Sequence, residues 1–277
     1  MSGDSIPSPY LATAIDAVKR AGEIQRAALG GAFQIHKKGT IDLVTDVDLA
    51  VERMIRALIA ERHPDHDVLA EEMGGPTGET RSRFCWIVDP LDGTTNFAHG
   101  LPLFCCTVAL EIDGRLEVGA VYDPTRDELF TAERGRGAFL NGTRLQVSQT
   151  QTLIDALLVT GFPYAVQDKM TELVGLFAAF LGEARAVRRL GSAALDICYV
   201  ACGRMDGFWE QGLNAWDIAA GVLLVEEAGG RVTSLDGGPF NLRAGHIVAT
   251  NGPIHDQMLR VVSRFYAAHP PSSAPQE

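Results

Sequence analysis

The sequence predicts a layered α/β body, and three observations carry that prediction. Segments of helical periodicity alternate with short apolar strands along the chain, an antiparallel meander occupies the first half, and no repeat, low-complexity linker or composition break divides the 277 residues. A hydrophobic fraction of 46%, a charged fraction of 21% and a mean hydropathy of +0.06 supply enough apolar material for a substantial core. A single domain is expected over 10–267, built of two αβ halves at about 10–148 and 149–267, with 1–9 and 268–277 as disordered tails.

Each element follows from its local pattern. In 10–29 the residues Leu11, Ile15, Val18 and Ile24 recur at helical spacing, and Gly30-Gly31 ends the helix. A second helix starts at Asp46 with acids in its first turn, carries Val51, Ile55, Leu58 and Ile59, and stops before Pro64. Strands follow at 68–70 and 85–88. The apolar runs 104–112 and 116–122 flank Asp113-Gly114, a strong hairpin signal, and the meander continues through 129–132. Gly135-Arg136-Gly137 lacks the third glycine of a dinucleotide loop and reads as a hairpin turn. The second half opens with a strand at 153–160 and a helix at 169–181. A helix at 192–201 follows, with Ser192 as N-cap, stopping at Gly203. Phe208-Trp209 reads as a strand, 217–228 as an apolar helix closed by Gly229-Gly230, and 247–250 as a strand before a last helix.

Charge and composition exclude several function classes. With 24 Lys and Arg against 35 Asp and Glu, the net charge of −11 opposes nucleic acid as a direct partner, because phosphate backbones are bound by clustered cations. Arg185, Arg188 and Arg189 form the one local basic cluster. The apolar run 221–225 is broken by Glu226 and Glu227, far short of a membrane span, so no membrane association is expected. MSGDSIPSPY has neither a basic start nor an apolar stretch, which predicts a cytoplasmic address. The 5 cysteines form no C-x-x-C pair and are expected to be reduced, with Cys198 and Cys202 in a core helix. No H-E-x-x-H and no G-x-S-x-G occurs, which removes zinc protease and serine hydrolase readings.

The chemistry concentrates in WIVDPLDGTTNF, 86–97. An apolar strand carrying Ile87 and Val88 delivers Asp89 at its end, Pro90 fixes the chain direction, and Asp92 follows after two residues. Two carboxylates held so close on a tight turn repel unless a cation lies between them. Gly93 permits backbone approaches that a Cβ blocks, with the hydroxyls of Thr94 and Thr95 beside it. An all-oxygen site suits a hard cation, Mg2+ above all. Ala70-Glu71-Glu72 follows another apolar strand, and Asp217 opens a helix after Trp216. Four acidic positions at element ends point to metal ligation more than to helix capping.

Together with WDIAAG (216–221), LVTDVD (43–48) and GSAALD (191–196), this segment resembles the inositol monophosphatase family, closest to its bacterial members, over roughly 10–265. The resemblance implies a five-layer αβαβα sandwich of the metal-dependent, lithium-sensitive sugar phosphatase type. It also implies hydrolysis of phosphate monoesters such as myo-inositol 1-phosphate, two to three Mg2+ ions per subunit, inhibition by Li+ and a homodimer. The family pattern carried onto this chain assigns Glu71, Asp89 and the Leu91 carbonyl to one magnesium, Asp89, Asp92 and Asp217 to a second, and a weaker third near Glu71. It makes Thr94 the residue that orients the attacking water and Asp48 the one that holds Thr94. Backbone N–H groups of Gly93 and Thr94 are expected on the phosphate, Gly191, Ser192 and Ala193 on the sugar side, and Glu210 and Asp217 on substrate hydroxyls. Lys37 or Lys38 stands where the family has a mobile loop lysine.

Rival readings separate on spacing. A haloacid-dehalogenase-type nucleophile motif needs D-x-D-G-T, and here one residue too many separates Asp89 from Asp92. Within the superfamily, relatives acting on 3′-phosphoadenosine 5′-phosphate or histidinol phosphate commonly carry lysine after D-G-T, whereas this chain has Thr95-Asn96-Phe97. Fructose 1,6-bisphosphate and 3′-phosphoadenosine 5′-phosphate remain the alternative substrates, and a regulatory binding protein with incidental catalysis an alternative of another class.

Overall fold

A computed structural model describes residues 7–31, 34–37, 43–75, 82–163 and 166–269. Helix α1 (Pro9–Ala28) begins with Ser8 as N-cap and Pro9 at its first position, where a missing N–H costs nothing. After β1 (Ile35–Lys37) and β2 (Leu43–Thr45), helix α2 (Asp46–Arg62) opens on a capping box in which the Thr45 and Asp48 side chains serve each other's backbone N–H groups. The first half then forms β3 (Asp67–Ala70), β4 (Phe84–Asp92), the short α3 (Thr94–Ala98), β5 (Cys105–Ile112), β6 (Arg115–Asp123), β7 (Glu128–Glu133), β8 (Gly137–Leu140) and β9 (Thr143–Arg144). Strands β3 to β9 lie in chain order in one seven-stranded sheet, antiparallel except for the parallel β3–β4 pair. Asp113 and Gly114 turn the β5–β6 hairpin with φ of 51° and 80°, as a two-residue loop matched to strand twist requires.

The second half runs β10 (Leu157–Thr160), α4 (Met170–Leu181), β11 (Ala186–Arg188), α5 (Ala193–Ala201), β12 (Gly207–Gln211), α6 (Ala215–Glu227), β13 (Arg231–Thr233), β14 (His246–Thr250) and α7 (His255–Ala268). Its five-stranded sheet has the order β11-β10-β12-β14-β13. Helices α1 and α2 cover one face of the large sheet, burying Val18, Ile55, Trp86 and Val108. Helices α5 and α6 fill the space between the sheets with Ile197, Leu223 and Phe208. Helices α4 and α7 close the far face of the small sheet over Trp209, Phe180 and Met258. The five layers are therefore α, β, α, β, α, and each inner layer is apolar on both sides because it is buried on both sides.

Several boundaries differ from the sequence expectation. Pro9 and Ala268 are helical rather than tail residues, because Ser8 caps α1 and the buried Val262 and Phe265 keep α7 packed to its last turn. Residues 1–6 and 270–277 lie outside the described residues. Leu153–Asp155 forms a 3-10 turn ahead of β10 instead of extending it. The expected strand at 85–88 runs on to Asp92, so Asp89 and Asp92 sit in an irregular strand end and not on a tight turn. All five cysteines are free. Among the described residues no helix is long and apolar enough to cross a membrane.

Candidate active site

Parallel pairing brings the acids together. Strands β3 and β4 run side by side with Ala70 opposite Val88, so the next residues, Glu71 and Asp89, emerge at the same sheet edge. Beyond Asp89 the register with β5 shifts, Asp89 facing Thr107 and Asp92 facing Cys105. This bulge re-aims the chain so that Asp89 and Asp92 both reach the cleft. Leu91 between them is fully buried, and its N–H donates to Asp89 Oδ1 at 2.9 Å, fixing the carboxylate.

Gly93 then turns the chain into α3 with φ 90° and ψ 34°, a left-handed conformation that side chains disfavour. A Cβ there would lie 2.8 Å from the Leu103 carbonyl oxygen and 3.3 Å from that of Gly191. Thr94, buried at the start of α3, places its hydroxyl 3.1 Å from Asp48 Oδ1 and 2.8 Å from the Leu91 carbonyl oxygen. Asp48 is itself fully buried, and its other oxygen accepts from the Thr45 N–H at 2.9 Å and from the Thr45 hydroxyl.

The second half supplies the opposite wall. Ser192 caps α5 and also donates its hydroxyl to Asp92 Oδ2 at 2.5 Å, while the Ala194 N–H donates to the same oxygen at 2.8 Å. Helix α6 starts at Ala215, two residues before the expected Asp217. Asp217 is its third residue and accepts from the Asn214 N–H at 2.6 Å in a capping box. Capping and cleft-lining coincide in one side chain. Glu210 is a buried residue of β12, 6% exposed, not a solvated charge at a strand end. Beside it, Gly161 is glycine for space: its Cβ would lie 2.3 Å from Glu210 Oε2.

These side chains line one cleft of about 350 Å³, shared by Glu71, Asp89, Leu91, Asp92, Gly93, Thr94, Gly191, Ser192, Ala193, Glu210 and Asp217. Asp48 stands behind Thr94 instead of in the wall. Burial, then the carboxylates of Glu71, Asp92 and Asp217, push Asp89 well above the usual carboxylate range. Burial also raises Asp92, against the hydrogen bonds from Ser192 and Ala194 that favour its charged form. Among the described residues lining the cleft, Arg189 carries the one positive charge. Such crowded carboxylates fit a hard cation: the donors are all oxygen, and a positive charge among them removes the repulsion that raises Asp89. Among the described residues, no three His, Cys, Asp or Glu side chains are already gathered tightly enough to hold an ion.

Four supporting residues were not foreseen. Glu52, fully buried on α2, accepts from the N–H groups of Glu72 at 2.8 Å and Met73 at 3.1 Å and pairs with Arg56 at 2.8 Å, clamping the loop behind Glu71. Asn96 donates to the carbonyls of Leu103 and Leu190, tying α3 to the approach to α5. Asp196 and Arg189 line the cleft beside Glu210. Only the alternation of Glu52 with the apolar face of α2, an acid among buried positions, offered a sequence signal. Lys38 lies outside the described residues, as does the side chain of Lys37.

Residues 6–266 match the inositol monophosphatase family. The inositol-1-monophosphatase of Synechocystis sp. is 45% identical over 255 residues, 92% of this chain and 88% of that protein. The Nus factor SuhB of Pseudomonas aeruginosa is 43% identical over 259 residues, 92% of this chain and 96% of that protein. The structure of an inositol monophosphatase from Anabaena (Nostoc) sp. superposes with a TM-score of 0.84 at 41% identity, covering 92% of this chain and 95% of that one. A more distant structure, an IMPase/NADP phosphatase complexed with Mg2+ and phosphate, has a TM-score of 0.77 at 26% identity, covering 88% and 90%.

Proposed function

The chain belongs to the inositol monophosphatase family and is a phosphatase, and from that premise we propose that it hydrolyses myo-inositol 1-phosphate and related sugar monophosphates with Mg2+, as a cytoplasmic homodimer inhibited by Li+. The observation that carries this reading is the convergence of Glu71, Asp89, Asp92 and Asp217 on one cleft that Glu210 also lines. The relative complexed with Mg2+ and phosphate supports the choice of ion. The exposed apolar side chains Met170, Val174 and Leu181 along α4 support self-association.

Two to three Mg2+ ions held by Glu71, Asp89, the Leu91 carbonyl, Asp92 and Asp217 would neutralise phosphate charge and lower the pKa of the attacking water. The protein's own groups orient the reactants. With its O–H donated in a hydrogen bond to Asp48, Thr94 Oγ1 keeps lone pairs that accept from water, and the double hold of Thr45 on Asp48 fixes that direction. The N–H groups of Gly93 and Thr94, free of side-chain caps at the start of α3, would bind phosphate oxygens. Gly191, Ser192 and Ala193 would bound the sugar, and Glu210 would accept from its hydroxyls. Water attacks phosphorus as the ester oxygen leaves, and no phosphorylated side chain is required.

The test is phosphate release from inositol 1-phosphate, fructose 1,6-bisphosphate, 3′-phosphoadenosine 5′-phosphate and histidinol phosphate, with and without Mg2+ and then with Li+. Mg2+-dependent, Li+-sensitive preference for inositol 1-phosphate, from a preparation that sediments as a dimer, is the expected result. Release from none of the four overturns it. Glu210→Gln should raise KM for inositol 1-phosphate about tenfold and leave hydrolysis of p-nitrophenyl phosphate within about twofold, because only the first has ring hydroxyls to lose. Equal losses on both would show that Glu210 does not read substrate.

A regulatory role is the second reading, favoured by one observation: relatives named Nus factor SuhB match this chain as well as those named inositol-1-monophosphatase. A pull-down that captures only further copies of this chain would count against it.

A further inference from the structure

Asp196 is a buried acid that none of the roles above uses. It sits in the first turns of α5, is 1% exposed and lines the cleft, and its Oδ1 has no hydrogen-bond partner. The backbone N–H of Asp196 donates to the Ser192 carbonyl, so the helix is satisfied locally and the carboxyl takes no part in capping. A buried carboxylate oxygen without a donor is costly, and native structures keep such atoms where a partner arrives later. Glu210 and Arg189 line the same cleft, and both act electrostatically on Asp196.

We propose that Asp196 is a second substrate-reading residue, pairing with Glu210 to hold neighbouring hydroxyls of a neutral polyol monophosphate. The inference deepens the reading of the site as an inositol phosphatase and rests on it. Two buried acids lining the cleft offer hydrogen-bond partners to a vicinal diol. Burial, then the Glu210 and Asp92 carboxylates, push the Asp196 carboxyl well up, and Arg189 opposes this. A neutral acid there can donate to one hydroxyl oxygen and accept from another.

The experiment is steady-state kinetics of Asp196→Leu and Asp196→Asn on inositol 1-phosphate and on p-nitrophenyl phosphate. Asp196→Leu replaces a buried acid, one of whose oxygens has no hydrogen-bond partner, by an apolar group of similar size, so it should melt no lower than wild type. It should raise KM for inositol 1-phosphate about tenfold or more, with kcat/KM on the aryl ester within about twofold. Asp196→Asn keeps one donor and one acceptor and should stay within about threefold of wild type on both. If leucine does not fit, Asp196→Ala gives the same reading. Unchanged KM in the apolar variants, or equal losses on both substrates, overturns the role of Asp196 alone. A wild-type enzyme that cleaves the aryl ester and not inositol 1-phosphate takes down the substrate reading together with it.

Discussion

Asp92→Asn is expected to lower kcat/KM on inositol 1-phosphate by about a thousandfold or more, while the protein folds as wild type. The substitution preserves shape and still accepts from the Ser192 hydroxyl and the Ala194 N–H, so the contact between β4 and the start of α5 survives. What it removes is a negative charge from a site whose proposed ions need it. Without metal, the same change relieves repulsion on Asp89, where Asp92 is one of the raising charges. The apo variant should therefore melt at or above the wild-type temperature, while Mg2+ should stabilise it less than it stabilises wild type. Near-normal turnover, or an unchanged Mg2+-induced rise in melting temperature, would refute Asp92 as a ligand.

The second large effect is expected from Gly93→Ala. The residue holds φ 90°, and a Cβ would approach the Leu103 carbonyl oxygen to 2.8 Å and the Gly191 oxygen and Phe104 Cα to 3.3 Å, all backbone atoms that cannot rotate away. Backbone strain and overpacking together should cost about 3 kcal/mol of stability, and displacement of the turn that carries Thr94 should lower kcat at least about a hundredfold. Gly100 is the control. It has φ 70° with no atom within 4 Å of an added Cβ, so Gly100→Ala should cost about 1 kcal/mol and leave kcat alone. Denaturant unfolding and kinetics on the two variants check the contrast; equal behaviour would mean that close packing around Gly93 plays no part in positioning the site.

Much of this molecule was legible before its structure. The helices α1, α2 and α6 declared themselves through apolar periodicity and end signals, and the β5–β6 hairpin through Asp113-Gly114. Ser192 was readable as an N-cap because a hydroxyl ahead of an apolar helix has one dominant use. The short strands β8, β9, β11 and β13 were not, since two to four residues carry too little pattern to stand apart from loop. The strand that bears Asp89 and Asp92 was read as ending at Asp89, with Pro90 fixing the chain direction, yet a bulge accommodates the proline and the strand runs on to Asp92.

By itself, the sequence determined which residues could do chemistry: the acids of 71, 89, 92 and 217, with a glycine and a threonine beside them, are local facts of composition and spacing. Tertiary structure alone decided which of them meet. Parallel pairing of β3 with β4 sets Glu71 beside Asp89, and the approach of α5 to β4 gives Asp92 its Ser192 partner. Glu52 and Asp196 became visible only through burial, because an acid's function depends on the dielectric and the partners around it, and these include residues remote in the chain, Glu72 for Glu52 and Asp92 for Asp196.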